Sequence, residues 1–328
     1  MMGLVINPQY LKLLKIKSSN DQHEVEFFRM MDLPDGAMAG LEIKNAEIIA
    51  DCLKGIIAES NLEEHQEVVF AIPRSSTIVK TILVDPRLNI DEIESRVWME
   101  ANRLFPNLIG EIYLDFYNNG PSPQEPTQQE VLIVACRKEQ LNPYLKIIEE
   151  AGLKTKVVDL NYYAYERALP LVMKNSPEIK SVAFLNINFG LIDLLGVYEG
   201  KLVYAHELTY DGHHLLGLCR STDNADFNQE NKDNLLKSTL GLHLKHILQF
   251  FYSSRPNMRL DRIILGGDVP ACIDGVVEFV KKEVGKDVVM ADPVAEMKLA
   301  SGIDADTLKH FSPALMLCCG LALTRSGI

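Results

Sequence analysis

The residues best placed to do chemistry lie where apolar strands end. Leu265-Gly266-Gly267-Asp268 closes one strand with paired glycines ahead of a helix opened by Pro270. Glycines let a backbone approach a ligand closely, and the N–H groups that open a helix face it. Taken alone, the stretch reads more readily as a tight strand–helix turn. Two other turns make it part of a pattern. Leu4-Val5-Ile6-Asn7-Pro8-Gln9-Tyr10-Leu11-Lys12-Leu13-Leu14 aligns without a gap to Leu185-Asn186-Ile187-Asn188-Phe189-Gly190-Leu191-Ile192-Asp193-Leu194-Leu195. Each copy reads as strand, short turn, strand, the signature of a β-hairpin. A hairpin opening each half suggests an internal duplication with two facing lobes.

Other chemistries find little footing. GxGxxG, Walker A and GxSxG segments are all missing from the sequence, so dinucleotide, P-loop and nucleophile-elbow enzymes lack support. His213-His214 and the His243/His246 pair are the metal-ligand candidates. Adjacent histidines seldom face one ion, and the i, i+3 pair has no third ligand nearby, so no metal site is expected. Asp159 reads as a helix cap rather than a general base.

The elements that must position these turns follow from length and pattern. At 328 residues, with 47% hydrophobic and 24% charged, the chain is long enough for two folded domains. A net charge of -12 argues against nucleic acid and against a polybasic attachment to anionic lipid. Six cysteines without a CxxC pair, most of them inside apolar runs, look like reduced, buried cytosolic thiols. With no charged-then-apolar leader and no apolar run long enough to span a bilayer, a cytoplasmic protein is expected.

Asn45 is expected to cap a helix with Ile48, Ile49, Cys52, Leu53, Ile56 and Ile57 on one apolar face. Asn89 with Glu92 reads as a capping box opening a helix that buries Ile93, Val97, Ala101 and Leu104 and stops before Pro106. Strands are expected over Glu67 to Ile72, Thr77 to Val84, Ile112 to Tyr117 and Glu130 to Cys136. The stretch from Asn118 to Pro126 looks disordered. A helix over 139–151 and a strand from Thr155 to Leu160 follow, and Asn175-Ser176-Pro177 reads as a boundary. A long helix over about 232–253 and a second from Pro270 to Val284 complete an interleaved α/β pattern.

With these residues in view, the chain resembles the PilM family, actin-like cytoplasmic proteins of the type IV pilus assembly platform. The resemblance runs through Val68 to Ser76 with Lys80, Arg96 to Pro106, Leu114-Asp115-Phe116, Val158-Asp159-Leu160 and Tyr163 to Ala168. It continues through Leu248 to Ser254, Leu265-Gly266-Gly267, Asp292-Pro293 and Gly320 to Leu323. It implies a two-lobed actin-like (ribonuclease H-like) α/β fold with an inserted α+β subdomain 1C and a reduced 2B. The implied division is 1–83 (1A), 84–158 (1C), 159–178 (1A), 179–218 (2A), 219–257 (reduced 2B) and 258–305 (2A). A C-terminal helix, 306–328, returns to 1A.

The departures bear on function. The family's first phosphate loop reads Gly-Ile-Asp-Ile-Gly-Ser, where this chain has Gly3, Leu4, Val5, Ile6, Asn7 and Pro8. The second reads Val-Asp-Ile-Gly, where this chain has Leu185, Asn186, Ile187 and Asn188. Both carboxylates and both glycines are replaced, and Pro8 removes a backbone donor. Lys12, Gly266 and Gly267 are the retained cleft positions. Without a carboxylate to hold Mg²⁺, hydrolysis has no evident machinery. The expectation is therefore no cofactor, or weak ATP/Mg binding. The resemblance implies an adaptor that binds the cytoplasmic tail of a PilN-like inner-membrane protein and couples it to the motor ATPases, with self-association possible for the fold. It would be peripheral to the inner membrane through its partners. The resemblance places that tail in a groove between subdomains 1A and 1C, with Arg74, Lys80 and Trp98 as the expected tail contacts. The alternative is a divergent ATPase whose lobe closure controls a pilus or type II secretion platform.

Overall fold

The computed structural model describes residues 1–19, 22–60, 62, 65–174, 176, 178–220 and 229–324. The expected boundary residues Asn175 and Pro177, and residues 221–228 of the polar loop, lie outside the described residues.

The first hairpin pairs Met2–Ile6 with Tyr10–Ser19, and Gln22–Asp32 adds a third antiparallel strand. Glu67–Ile72 then pairs in parallel with the first strand, and Lys154–Leu160 pairs in parallel outside it. The second half repeats this order. Ser181–Asn188, Leu191–Tyr198 and Lys201–Thr209 form an antiparallel meander. Arg262–Gly266 and Val288–Met290 extend it in parallel on the far side. Both sheets run third, second, first, fourth, fifth, with Lys298–Leu299 added at the edge of the first. The registers match as well: Leu4 lies opposite Leu13, and Leu185 opposite Leu194. The sequence repeat is a structural duplication.

Each lobe has its own apolar core. The first gathers Leu4, Leu13, Ile49, Leu53, Phe70, Ala164 and the C-terminal helix Met316–Ala322. The second gathers Leu185, Leu194, Leu244, Ile247, Phe251 and Val280. The helical region after residue 228 therefore buries its apolar face against the second sheet. The expected single helix over 232–253 is interrupted by a π turn at Lys237–Gly241, between Gln229–Leu236 and Leu242–Ser254.

Between the strands of the first lobe, a three-stranded sheet is inserted. It consists of Thr77–Val84, Gln129–Arg137 and Ile112–Pro121, with the middle strand central. Helix Ile90–Leu104 covers one face, opened by the Asn89/Glu92 capping box and buried through Ile93, Val97 and Ala101. Two strands fall across the divisions expected from sequence. Thr77–Val84, placed in 1–83, pairs in the inserted sheet, because the tight turn Arg74–Ser76 carries the chain from one sheet to the other. Lys154–Leu160, placed almost wholly in 84–158, pairs with Glu67–Ile72 in the six-stranded sheet. The stretch expected to be disordered is a built hairpin connection. Ser122 is buried, its N–H donates to the Gln128 carbonyl at 2.9 Å, and its hydroxyl donates to Glu130 at 2.7 Å.

Candidate functional site

The two hairpin turns and the Gly266-Gly267 turn meet between the lobes. Lys12 stands opposite Val5 on the first hairpin, and Asp193 stands opposite Asn186 at the equivalent place on the second. The duplication thus puts a lysine on one wall of the cleft and an aspartate on the other.

Lys12 is buried, and its ammonium pairs with the carboxylate of Asp268, which is also buried. A further hydrogen bond runs from Lys12 Nζ to the Ala314 carbonyl at 3.2 Å. Asn7 Nδ2 donates to the second carboxylate oxygen of Asp268 at 2.7 Å. The Asp268 N–H donates to Asn188 Oδ1 at 3.0 Å. One carboxylate from the second lobe is therefore gripped by the first-hairpin turn and seated on the second. A buried charge without such partners would be costly, so the pair also welds the lobes.

The turns themselves are closed upon protein. Asn7 N–H donates to the Tyr10 carbonyl, and Asn7 Oδ1 accepts from the N–H groups of Gln9 and Tyr10 at 3.0 and 2.8 Å. Pro8 has no N–H to offer. Gly267 has φ +108°, and a Cβ there would lie 2.3 Å from the Ile187 carbonyl oxygen; at Gly266 it would lie 3.0 Å from that of Pro313. The close approach that needs these glycines is to the chain's own backbone.

A second polar cluster lies deeper in the junction. Asp193 accepts from Asn161 Nδ2 and Asn186 Nδ2, both at 3.0 Å, and from the Tyr165 hydroxyl at 3.3 Å. Asn161 also donates to Glu207, whose two oxygens accept the backbone N–H groups of Arg74 and Ser75 at 2.7 and 2.9 Å. Burial, with the nearby Glu207 carboxylate, pushes Asp193 up to about 7. The sequence reading missed Asp193, Glu207, Asn161 and the pairing role of Asp268. The repeat carried a signal for the first of these, since the copy has an acid where the original has a lysine.

A magnesium nucleotide is a poor fit to these residues. The cavity lined by Asn7, Lys12, Asn161, Asn186, Asn188 and Asp193 has a volume of about 80 Å³. A cavity of roughly 150 Å³ is what holds benzene. Lys12 is committed to Asp268, and the amides of the first turn are committed to Asn7 and Tyr10. Among the described residues no group of three or more His, Cys, Asp or Glu side chains is arranged for a metal ion.

The expected tail contacts do not converge. Arg74 sits at the lobe junction, where its guanidinium also donates to the Ala205 carbonyl at 3.4 Å. Lys80 pairs with Glu100 of the covering helix at 2.5 Å. Trp98 lies on that same helix, 42% exposed, with its indole N–H donating to Glu94 at 3.3 Å. The concave surface is on the opposite face of the inserted sheet, a groove of about 880 Å³. Leu132, Val134 and Cys136 form its floor, with Tyr113 and Tyr117 on one side and Val157, Val158 and Tyr163 on the other. Two sheet edges border it, the strands Ile112–Pro121 and Lys154–Leu160. A signal for it was present. Val131 to Cys136 is unbroken apolar sequence, as in a strand covered on both faces, and one helix covers only one face.

The sequence profile described as Type IV pilus assembly protein PilM matches residues 3–326. The chain belongs to the PilM family. A solved structure titled "PilM-PilN type IV pilus biogenesis complex" superposes with a TM-score of 0.78 at 21% identity, covering 98% of this chain and 97% of that one. The ethanolamine utilization protein EutJ from Carboxydothermus hydrogenoformans superposes at 0.50 with 11% identity, over 98% of this chain and 88% of that one. The fold is the actin-like one, as expected. In this PilM-family chain Val5 lies opposite Lys12, and Asp268 supplies the neutralising charge from the other lobe.

Proposed function

We propose that this PilM-family chain is an adaptor of a type IV pilus assembly platform. It holds an extended apolar tail of a PilN-like membrane protein in the groove beneath the inserted sheet, and links it to the assembly motors without nucleotide chemistry. The carrying observation is the groove itself: an apolar floor of Leu132, Val134 and Cys136 between two strand edges. An extended peptide can add backbone hydrogen bonds along such an edge and seat alternate side chains on the floor. The likeness to a structure titled as a PilM–PilN complex supports the partner class. Among the described residues no helix is long and apolar enough to cross a membrane, so the partner would supply the attachment.

Fluorescence anisotropy with a labelled peptide from the cytoplasmic end of a PilN-like protein tests the tail site. Val134→Glu is expected to weaken binding at least tenfold, whereas Trp98→Ala leaves it within twofold. The reverse ranking would move the site to the helix-covered face. Thermal unfolding with millimolar Mg-ATP or Mg-ADP tests the nucleotide part. A ligand at a hundred times its Kd adds about 2.7 kcal/mol, a visible rise in Tm. No rise is expected; a clear one would favour the nucleotide-switch alternative.

A further inference from the structure

The groove beneath the inserted sheet is apolar along its floor, yet its wall carries a carboxylate. Side chains alternate along the edge strand Ile112–Pro121. Leu114 and Phe116 pack against the core under helix Ile90–Leu104, so Tyr113, Asp115 and Tyr117 share the groove side. The strand register sets Tyr117 opposite Leu132, Asp115 opposite Val134 and Tyr113 opposite Cys136. An exposed acid therefore stands in the middle row of the groove face, between two exposed tyrosine rings.

The other charges along the groove are matched. Lys156 pairs with Glu67 at 3.2 Å, Arg167 pairs with Asp159, and Glu166 accepts the Leu202 N–H at 2.9 Å. Lys138, beside the Tyr113 ring, donates to the Gly110 carbonyl at 2.7 Å. Asp115 accepts the N–H of its neighbour Phe116 at 2.8 Å, and among the described residues it has no ion-pair partner.

A wholly apolar segment laid over Asp115 would strip water from the carboxylate and give nothing back, which is costly, whereas a cation compensates the loss. The tyrosines favour the same charge, because a ring face attracts an ammonium or guanidinium group. Cytoplasmic segments beside a membrane span carry an excess of Lys and Arg. The net charge of -12 on this chain attracts such a segment.

We propose that Asp115, framed by Tyr113 and Tyr117, selects the occupant of the groove: an extended tail that places one lysine or arginine side chain among its apolar residues. The proposal rests on the tail site described above and adds what that site discriminates. The floor seats the apolar side chains of the tail, and Asp115 fixes the register, since a slip by one residue turns the basic side chain to the opposite face.

The test is fluorescence anisotropy of the full chain with a PilN-like cytoplasmic-tail peptide. The peptide is labelled at its C-terminus and acetylated at its N-terminus, so that only side chains carry positive charge. Each Lys or Arg of the peptide is changed in turn to Gln. Asp115→Asn should weaken binding of the unchanged peptide about fivefold, and one Gln peptide should lose about as much on the parent chain. That Gln peptide should bind Asp115→Asn and the parent chain equally, the non-additivity of a direct pair. In about 0.5 M NaCl the advantage of the parent chain over Asp115→Asn should shrink to within about twofold. Two results would overturn the selection and leave the groove in place. One is binding that Val134→Glu weakens and Asp115→Asn does not. The other is a loss on Asp115→Asn that is the same for every Gln peptide, since a structural effect ignores the charge of the tail. Binding insensitive to both Val134→Glu and Asp115→Asn would remove the tail site itself, and the selection with it.

Discussion

Asp268 occupies the position of an anion held by the chain itself, and its removal has a predictable cost. Breaking a buried pair by deleting one partner leaves an uncompensated charge, worth about 3–5 kcal/mol. Asp268→Ala should lose that much in urea unfolding. The double change Lys12→Met with Asp268→Leu should lose less than either single change, because no charge is stranded. Asp193 makes a pH prediction of the opposite sense to most aspartates. Its folded pKa is raised from 3.8 to about 7, so the native state keeps a proton that the unfolded chain has released. Between about pH 4 and 7 this group's contribution to stability falls as pH rises, by a few kcal/mol in all, and it is level above 7. Asp193→Asn should flatten that part of the stability profile relative to the parent, measured by urea unfolding at pH 5 and pH 8. An unchanged slope would mean that Asp193 ionises freely in the fold.

At the level of elements, two glycines mark where pieces of backbone touch. A Cβ on Gly320 would lie 1.8 Å from the Ala164 carbonyl oxygen, so the C-terminal helix can cross Asn161–Met173 only with glycine there. Gly320→Ala should destabilise the chain by about 3 kcal/mol or more, the upper range of overpacking. Gly55→Ala, where nothing lies within 4 Å of the added Cβ, should be stabilising by several tenths of a kcal/mol, as expected for a helix interior with room for a methyl group. Thermal unfolding of the two variants side by side checks both. The inserted sheet shows how burial on two faces sets an element's role. Helix Ile90–Leu104 takes Val131, Ile133 and Ala135, and leaves Leu132, Val134 and Cys136 as the groove floor.

Across the whole molecule, polar contacts at the bottom of the cleft join the lobes. Glu207 from the second lobe accepts two backbone N–H groups of the Arg74–Ser76 turn, and Asn161 bridges it to Asp193. Glu207→Ala would leave those donors to solvent. Hydrogen exchange at the Arg74 and Ser75 amides should then speed up at least tenfold, with a stability loss of about 1–3 kcal/mol. Exchange unchanged at both amides would show that the lobes are held elsewhere.

Much of this was legible in the chain itself. The hairpin copy around Asn7 and Asn188 determined the duplication, because strand alternation and turn residues are local properties that a sequence states directly. The capping box at Asn89 and Glu92, the apolar faces of the helices and the degenerate loop residues were equally local. The tertiary structure alone decided who partners whom. Lys12 and Asp268 are 256 residues apart, and no spacing rule relates them until both lobes close. The same holds for the groove. Arg74 lies in the turn at the lobe junction, and Lys80 and Trp98 lie with the covering helix, so none of the three lines the groove. The face that is left open depends on which strands pair, and pairing is a property of the assembled sheets.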